Sequence, residues 1–589
     1  MVIGIDLGTT NSVATAFKDG ESILIPNEYG EFLTPSVVGF DDNNELIVGK
    51  IAKERLVVAP NLTTSLFKRK MGQDVKVKLG EKEFSPEELS SFVLRKLITD
   101  AELFLGGKVE EVVVSVPAYF NSKQRAATKK AGQLAGIKVE RLVNEPSAAA
   151  IACLDEDEDD TFIVFDFGGG TLDVSVVERF DNIINICAIS GDNFLGGRDF
   201  DSVIFKTFCD ENDIIVNDLS KSQQQTLLRV AEEAKMALQF QEKAQLQVVI
   251  DDKMLRMDLT NEKLAELAKD IFTRIRKPIA QAMKDSGLEA ADISKLILVG
   301  GSCEMKIVQN YLKKLLQIPV VNHNDTDKIV AKGLGIYVGI KERSQEVKDL
   351  VLTDICPFSL SIGALDFMSR YISAIMISRN SVLPTSVTKD FYTGHAGQKV
   401  VDLKVYQGEE MYADDNMLLG ELQFDVPENM NGYERIDVTF FYDINSILVV
   451  KAMIASTKEV FTYVLGGDGL EVTGVKSKKY LDQHSHVDIK FAQHERQTFI
   501  LERAKRIYAE GNSEFKPHMQ MIIGDIENIM EISSLRKLNE ILDEYEAILE
   551  EIEKAENKID LFSDLFSDFD NEDVASTEIE DESEIDGFS

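Results

Sequence analysis

Long apolar runs broken by glycine-rich turns form the main pattern in the first half of the chain. Phe162–Phe165 predicts a strand buried on both faces, because its apolar residues do not alternate with polar ones. A turn follows at residues 166–171, and Leu172–Val177 predicts a second strand. Gly168, Gly169 and Gly170 remove every Cβ from this turn, so backbone N–H groups can approach an anion closely. The pattern predicts a phosphate-binding hairpin, with an ordinary tight turn as the alternative.

The same pattern occurs at the start of the chain. Val2–Phe17 contains an apolar strand, Asp6, a turn at Gly8-Thr9-Thr10 and a second strand. A third piece, Leu296–Gly301, is a strand that ends in paired glycines and would let a base or ribose pass close by. The chain has no GxxxxGK[ST] motif and no GxGxxG motif after a strand, so neither a P-loop nor a dinucleotide fingerprint is available. We therefore predict a duplicated core that clamps a phosphate chain between two lobes.

Beyond these hairpins, the periodicity changes once along the chain. Residues 1–346 alternate strands and helices, which predicts an α/β domain. Residues 355–475 carry short strands of alternating polarity, which indicates an antiparallel β-sandwich. The apolar segment at residues 347–354 is either a linker that docks on a surface or the first strand of the sandwich. The predicted helices of the first domain are Ser122–Ala135, Leu227–Phe240, Leu264–Met283 with an interruption near Pro278, and Ile329–Ile340.

The last part of the chain predicts a small helical lid and a tail. Residues 476–490 have no role that we can assign, and residues 491–558 carry three helical segments, at about 491–510, 514–530 and 534–557. In the last segment an apolar seam packs within the lid or forms a dimer interface. The tail at residues 559–589 is strongly acidic, and we expect it to be disordered. The seam consists of Leu535, Leu538, Leu542, Tyr545, Leu549 and Ile552.

Composition narrows the function class. The chain has 589 residues and a net charge of −37, which argues against non-specific binding to nucleic acids or anionic membranes. Its five cysteines show no CxxC spacing, which favours reduced thiols in a cytosol-like compartment. No apolar run approaches the roughly 20 residues that span a bilayer, and the chain starts directly in a core strand. We expect a cytoplasmic protein that binds neither nucleic acid nor membrane.

Several motifs together resemble a known family. The two hairpins resemble those of the actin-like ATPase superfamily. Several short motifs are similar to those of DnaK-type seventy-kilodalton heat-shock chaperones, most like the HscC branch. The resemblance covers about residues 1–475 and implies a two-lobed α/β ATPase at residues 1–346, a linker, a peptide-binding sandwich and a helical lid. The matching motifs are IDLGTTNS at the start, VPAYF at Val116–Phe120, NEPSAAA at Asn144–Ala150, FDFGGGTLDVSV, and GDNFLGG at Gly191–Gly197.

The resemblance also implies roles for the residues that match the family's motifs. ATP or ADP would bind between the lobes, with Mg²⁺ held by Asp6, Asp166 and Asp173, and K⁺ as a second candidate ion. Lys68 and Glu145 would act on the attacking water with Asp166 and Thr171, although Lys68 could also be a surface lysine of a basic cluster. The nucleotide-binding set is Gly8, Thr9, Thr10, Gly168, Gly169, Gly170, Glu232, Lys235, Gly300, Gly301 and Ser302.

The adenosine side departs from the family pattern. The two arginines that usually face adenine are Met236 and Glu304 in this chain. Loss of two guanidinium groups removes stacking and cation–π contributions, each worth about 1 kcal/mol. We expect weaker ATP binding and faster nucleotide release than in a typical family member, and whether an exchange factor is needed stays open.

The family's remaining functions map onto the linker and the sandwich. The chain would bind and release extended apolar peptide segments of unfolded proteins under control of ATP hydrolysis, with a J-domain co-chaperone as partner. About half of the expected peptide-binding side chains could instead be plain sandwich core. The expected peptide-binding residues are Leu360, Ile362, Ala364, Leu365, Phe391, Gly394, Val401 and Leu403; the expected coupling residues are Pro117, Pro146, Asp349, Leu350, Val351 and Leu352.

Three other functions compete with this interpretation. A small-molecule kinase of the same superfamily would need a carboxylate base outside the Mg²⁺ set, and none is visible. The net charge of −37 and the appended sandwich argue against an actin-like filament protein. A holdase that binds nucleotide but barely hydrolyses it stays possible because of Met236 and Glu304.

Overall fold

The computed structural model describes residues 1–153, 160–180, 182–322, 325–366, 368–430, 432–444, 447–465, 495–511, 516–529 and 535–554. These residues divide into two compact units. The first contains the described chain up to residue 465 except residues 249–255, and the second contains that short segment and the helices from residue 495 onward. The predicted insertion at 476–490 and the acidic tail at 559–589 lie outside the described residues.

The first lobe is built on a mixed sheet with the order β11-β10-β1-β2-β3. The strand residues Ile3, Ile5, Val112 and Val114 are fully buried, as expected for a sheet with helices on both faces. The strands are β1 (Val2–Asp6), β2 (Asn11–Lys18), β3 (Glu21–Ile25), β4 (Thr34–Pro35), β5 (Val38–Phe40), β6 (Leu46–Val48), β7 (Thr63–Thr64), β8 (Val77–Leu79), β9 (Lys82–Phe84), β10 (Glu111–Val116) and β11 (Lys138–Asn144). The helices are α1 (Lys50–Val58), α2 (Pro86–Leu105), α3 (Ser122–Leu134) and α4 (Glu145–Ala152).

The second lobe repeats this plan. Its main strands are ordered β18-β17-β12-β13-β14, with β12 and β13 antiparallel and β12 and β17 parallel. The strands are β12 (Asp160–Phe167), β13 (Leu172–Phe180), β14 (Ile183–Asp192), β15 (Lys243–Ile250), β16 (Lys253–Thr260), β17 (Lys295–Val299) and β18 (Val320–Asn322). The helices are α5 (Gly197–Glu211), α6 (Lys221–Ala237), α7 (Asn261–Leu267), α8 (Lys269–Ser286), α9 (Lys306–Leu316) and α10 (Ile329–Lys341).

One predicted helix of this lobe is divided at a different place. The sequence suggested an interruption near Pro278, but Pro278 lies inside α8 without breaking it. The break is at Ala268, where the backbone leaves helical geometry (φ −92°, ψ 16°) between α7 and α8. Pro278 is buried, so packing of the apolar face of α8 offsets the hydrogen bond that a proline removes from a helix.

The predicted sandwich is confirmed. Two four-stranded antiparallel sheets, ordered β21-β20-β23-β24 and β22-β25-β26-β27, share one core. Alternate residues such as Val438, Phe440 and Val450 are fully buried between the sheets. The strands are β20 (Leu360–Leu365), β21 (Tyr371–Ile377), β22 (Thr385–Tyr392), β23 (Val400–Gln407), β24 (Met417–Asp425), β25 (Arg435–Tyr442), β26 (Leu448–Ile454) and β27 (Val460–Leu465).

The segment between the domains forms a strand of the second lobe. Strand β19 (Val351–Thr353) pairs in parallel with β14 and adds a sixth strand to that sheet. The Thr353 hydroxyl donates to the Ile184 carbonyl at 3.1 Å, and Leu352 packs on the core of the lobe. The segment therefore docks on the second lobe and is not the first strand of the sandwich.

The sandwich itself contacts both lobes. The backbone N–H of Ser122 donates to Oε1 of Gln407 at 3.1 Å in a buried contact. The Arg379 guanidinium pairs with Oδ1 of Asp285 at 2.7 Å. These polar contacts, together with the strand pairing of β19, describe a docked arrangement of the sandwich.

The second unit contains three helices that pack on one another. Leu542, Leu549 and Ile552 of the predicted seam are buried, and Tyr545 is half-buried. Arg503 and Arg506 both pair with Glu553, so ion pairs border the apolar contact. The helices are α11 (Glu495–Glu510), α12 (Lys516–Ile529) and α13 (Leu535–Lys554).

Prediction for docking. Replacing Arg379 by alanine leaves the nearly buried carboxylate of Asp285 without its charged partner, at a cost of about 1–3 kcal/mol to the docked state. Hydrogen exchange of the β19 amides should accelerate in Arg379→Ala. The control is Arg370→Ala, because Arg370 pairs with Asp366 inside its own hairpin. Unchanged exchange in Arg379→Ala would show that this ion pair does not support docking.

Candidate active site between the lobes

The two glycine-containing turns meet face to face. A Cβ at Gly169 would lie 2.0 Å from Oγ1 of Thr10, and a Cβ at Gly170 would lie 2.7 Å from Cγ2 of Thr9. Any side chain at these positions would force the turns apart. Gly8 is equally constrained, because its Cβ would lie 1.9 Å from the Asn11 carbonyl oxygen. The structure thus brings together the two predicted phosphate-binding turns.

Three carboxylates lie beside these turns. Asp166 and Asp173 face each other across the β12–β13 hairpin, and Asp6 ends β1. Oδ1 of Asp6 accepts from the Ser115 hydroxyl at 2.6 Å, and Oδ1 of Asp173 accepts from the Tyr119 N–H at 3.2 Å. Oδ2 of Asp173 has no hydrogen-bond partner in the described part of the chain, and neither does the buried hydroxyl of Thr10. These unsatisfied oxygens are the ligand type that Mg²⁺ prefers.

The electrostatics of this cluster also favour a cation. Burial, with repulsion from Glu145, raises the pKa of Asp6 to about 7. Burial and Glu145 raise the pKa of Asp173 to about 7 as well. The pKa of Asp166 is raised well above its ordinary value, by burial and then by repulsion from Glu145, Asp173 and Asp6. A bound divalent cation would remove this penalty and keep the carboxylates ionised, so the residues fit Mg²⁺.

Lys68 lies in the same place and is not a surface lysine. Its Nζ donates to Oε1 of Glu145 at 3.0 Å, and both side chains are buried. The neighbouring Lys70 is exposed, whereas Arg69 reaches the other lobe and pairs with Asp199 at 3.0 Å. The 3₁₀ turn at Phe67–Lys70 therefore points two of its three cations into the cleft.

A cavity of about 280 Å³ extends from the turns toward the nucleoside side. Gly300 adopts φ +84°, and a Cβ there would lie 2.6 Å from the Phe167 carbonyl oxygen, so a glycine is required. The Ser302 hydroxyl donates to the Gly168 carbonyl at 2.8 Å, which ties this wall to the phosphate turn. Gly301, Glu232, Lys235 and Met236 also line the cavity, whereas Oε1 of Glu304 accepts from the Thr326 hydroxyl.

Comparison with known proteins identifies the family. The family model described as Hsp70 protein matches residues 2–78 and 73–559. Chaperone protein DnaK of Thermosipho melanesiensis is 35% identical over 570 residues, which cover 92% of this chain and 95% of that protein. The chain belongs to the Hsp70 family.

Family membership confirms the resemblance seen in the sequence. The chain is an ATPase and an ATP-dependent molecular chaperone that binds unfolded proteins. Nucleotide binding and, as usual in the Hsp70 family, Mg²⁺ follow from this, as do peptide clients and J-domain co-chaperones in general. Within the described residues, no helix is long and apolar enough to cross a membrane.

The predicted coupling residues divide into buried and exposed positions. Pro146 is buried in the first turn of α4, and Leu350 and Leu352 are half-buried, whereas Val351 and Asp349 are exposed. A different acid of the linker segment makes the side-chain contacts with the first lobe. The sequence analysis did not select it as a coupling residue.

That acid is Asp354. Nδ2 of Asn144 donates to both of its carboxylate oxygens, at 2.8 and 2.7 Å. The Arg125 guanidinium donates to Oδ1 of Asn144 at 2.6 Å and to the carbonyl of Ala118, next to Pro117. The NEPSAAA and VPAYF motifs are thereby joined to the linker. The sequence signal that was available is the polar residue Asn144 in an otherwise apolar strand end.

The predicted peptide-binding residues also separate into two groups. Leu360, Ile362 and Leu403 are buried in the sandwich core. Leu365 and Gly394 are exposed, and the remaining three, Ala364, Phe391 and Val401, are half-buried. The alternative of plain core thus applies to three of these eight positions in the docked arrangement.

Other pocket residues were missed. Ser115, Asp327 and Arg198 border the site, and none belongs to a motif selected from the sequence. Arg198 directly follows the GDNFLGG motif, so a charged residue after a glycine turn was the available signal.

Prediction for hydrolysis. Lys68→Ala should lower the rate of ATP hydrolysis by about 100-fold or more, because it removes the buried ammonium group beside Glu145 and the phosphate turns. ATP affinity should fall much less. Single-turnover hydrolysis and calorimetric titration measure the two effects. Lys70→Ala is the matched control, and an equal loss in both variants would contradict a role for the Lys68 position.

Proposed function

We propose that ATP hydrolysis between the lobes of this Hsp70 protein is transmitted to the sandwich through the sheet of the second lobe. One observation carries the proposal. Asp173 of the carboxylate cluster is held by the backbone of Tyr119, and the Tyr119 ring packs on Phe358 of the sandwich with ring centroids 4.4 Å apart. A shift of the Asp173 carboxylate therefore has a direct packing route to the peptide-binding module.

The same strands offer a second route. Asp173 lies on β13, β13 pairs with β14, and β14 pairs with β19 of the linker. A change of twist in this sheet alters the edge on which the linker docks. Release of β19 would free the sandwich, and its re-docking would accompany binding of a new ATP.

The chemistry at the site follows from positioning and charge. Bound Mg²⁺ would neutralise phosphate charge, held by Asp6, Asp166 and Asp173, with K⁺ as a second ion at the same cluster. Lys68 and Glu145 would orient the attacking water, and Thr9, Thr10 and Thr171 would surround the terminal phosphate. Glu232 and Lys235 would contact the ribose, and Gly300, Gly301 and Ser302 the base.

The setting of the cycle is also part of the proposal. We propose that the clients are extended apolar peptide segments, that the stimulating partner is a J-domain protein in the cytoplasm, and that the chain belongs to the HscC branch of the family. The domain boundaries at residues 346, 354, 475 and 558 stay predictions, and the need for an exchange factor stays open.

Prediction for coupling. ATP should accelerate release of an apolar heptapeptide by about tenfold or more in the full chain. Asp354→Asn should abolish this acceleration, because an amide at 354 would face the Asn144 amide donor. Replacing Leu350, Val351 and Leu352 by alanine should have the same effect. Asp349→Asn should have a smaller effect, because Asp349 is exposed.

The measurement is the dissociation rate of a fluorescent peptide with and without ATP. Undiminished acceleration in Asp354→Asn and in the triple alanine variant would exclude transmission through the linker. Stimulation of the ATPase by a small sugar, and not by the peptide, would favour the kinase alternative.

Prediction for the base site. Met236→Arg should tighten ATP binding by about fivefold, because it restores one guanidinium at the wall of the cavity. Met254→Arg is the control for added charge, since Met254 is exposed at the start of β16. Calorimetric titration measures the ATP affinity of each variant. Equal ATP affinities in Met236→Arg and Met254→Arg would show that Met236 is not the cause of weak binding.

A further inference from the structure

A guanidinium group lines the nucleotide cavity at a position that the mechanism above does not use. Arg198 is the second residue of α5, and its backbone N–H donates to the Gly169 carbonyl of the phosphate turn at 3.0 Å. This bond fixes the start of the Arg198 side chain relative to the phosphates. Its Nη1 lies 3.3 Å from Oε2 of Glu232 and 3.6 Å from Oδ2 of Asp201.

A buried donor of Arg198, its Nε, has no acceptor in the part of the protein that the structure describes. A buried N–H without an acceptor is unfavourable by about 1–3 kcal/mol, so such a group is expected to find a partner in a bound ligand. The Arg198 side chain as a whole is about one-fifth exposed, and it faces the cavity.

The acceptor beside Arg198 stays ionised. Burial alone would raise the pKa of Glu232, but Arg198, together with Lys53 and Lys235, outweighs burial and lowers it. Arg198 pairs with Oε2 of Glu232, and Oε1 makes no hydrogen bond to the residues that the structure describes, so Oε1 is available to a ligand. The two side chains therefore present a charged donor and a charged acceptor side by side at the cavity wall.

Lys235, the other cation in this wall, is already engaged by the protein. Its Nζ lies 2.7 Å from Oδ1 of Asp201 and donates to the Gly197 carbonyl at 3.1 Å. Asp201 is fully buried, so this pair is shielded from solvent. Arg198 is therefore the cation in this wall with a buried donor still to be satisfied.

The base end of the cavity contrasts with this arrangement. Met236 and Gln239 line it, and Oε1 of Glu304 already accepts a hydrogen bond from the Thr326 hydroxyl. A thioether packs on any flat base with little preference for its hydrogen-bonding edge. The strongest directional groups of the nucleoside side are therefore those of Arg198 and Glu232.

We propose that Arg198 is a specificity-determining residue that binds the ribose of the nucleotide together with Glu232, so that the chain selects its substrate by the sugar more than by the base. A hydroxyl group both donates and accepts. One ribose hydroxyl donates to Oε1 of Glu232 and accepts from Nε of Arg198. This inference rests on the proposed nucleotide function of the cavity and identifies the ribose as the part of the ligand that the cavity recognises.

The test is calorimetric titration of the full chain with Mg²⁺ and three diphosphates: ADP, 2′-deoxy-ADP and GDP. Diphosphates avoid turnover during the titration. In the unmodified chain we expect 2′-deoxy-ADP to bind about tenfold more weakly than ADP, because Arg198 and Glu232 both lose their hydrogen bond to the missing hydroxyl. GDP should bind within about threefold of ADP, since the thioether of Met236 packs on either base and the amide of Gln239 can donate to or accept from either base.

The variants isolate Arg198. Arg198→Ala should reduce the preference for ADP over 2′-deoxy-ADP to about twofold or less, and Arg198→Lys should restore part of it. Arg229→Ala is the matched control, because Arg229 lies on α6 and pairs with Glu233 at the surface. General damage to the fold would weaken all three ligands equally and would leave their ratios unchanged.

Each other outcome overturns the inference in a recognisable way. An unchanged sugar preference in Arg198→Ala, or an equal loss for all three diphosphates in a folded protein, would reassign Arg198 to the phosphates or to structure. A base preference larger than the sugar preference in the unmodified chain would also refute it. Failure of the unmodified chain to bind ADP would instead overturn the proposed nucleotide site itself.

Discussion

Three carboxylates in one small volume, of which Asp166 and Asp173 are buried and Asp6 is half-buried, are the constraint on which the rest of this molecule depends. Asp6, Asp166 and Asp173 sit at strand ends, where the sheets hold them within reach of one another. Burying like charges without compensation is costly, and the buried ammonium group of Lys68 nearby is already paired with Glu145. Neutralisation by a bound cation and closure of the lobes therefore favour each other, which makes the cleft sensitive to its ligand.

The fold connects this sensitive cluster to the sandwich over a short distance. Tyr119 holds Asp173 through its backbone and Phe358 through its ring. The linker strand β19 extends the very sheet that carries Asp173. In an Hsp70 chaperone, peptide binding must respond to the nucleotide. The proposed route from the carboxylate cluster to the sandwich uses the β14–β19 sheet edge and the contact between Tyr119 and Phe358.

Much of the site could be read from the sequence because its chemistry is local. The glycines at 168–170 and the flanking acids are adjacent along the chain, and the structure shows why no side chain fits at Gly169. Lys68 could not be decided in this way, since only its burial against Glu145 separates it from a surface lysine. The break near Pro278 was placed wrongly, because a buried apolar face can hold a helix together across a proline.

The sequence by itself determined the strand–turn–strand hairpins, the change from α/β to sandwich, and the family. Only the tertiary structure decided that Asp354 and not Asp349 meets Asn144, 210 residues away along the chain, and that Arg198 faces Glu232. The reason is physical. Periodicity and turn chemistry are set by neighbours along the chain, whereas the partner of a buried charge depends on which surfaces the packed sheets bring together.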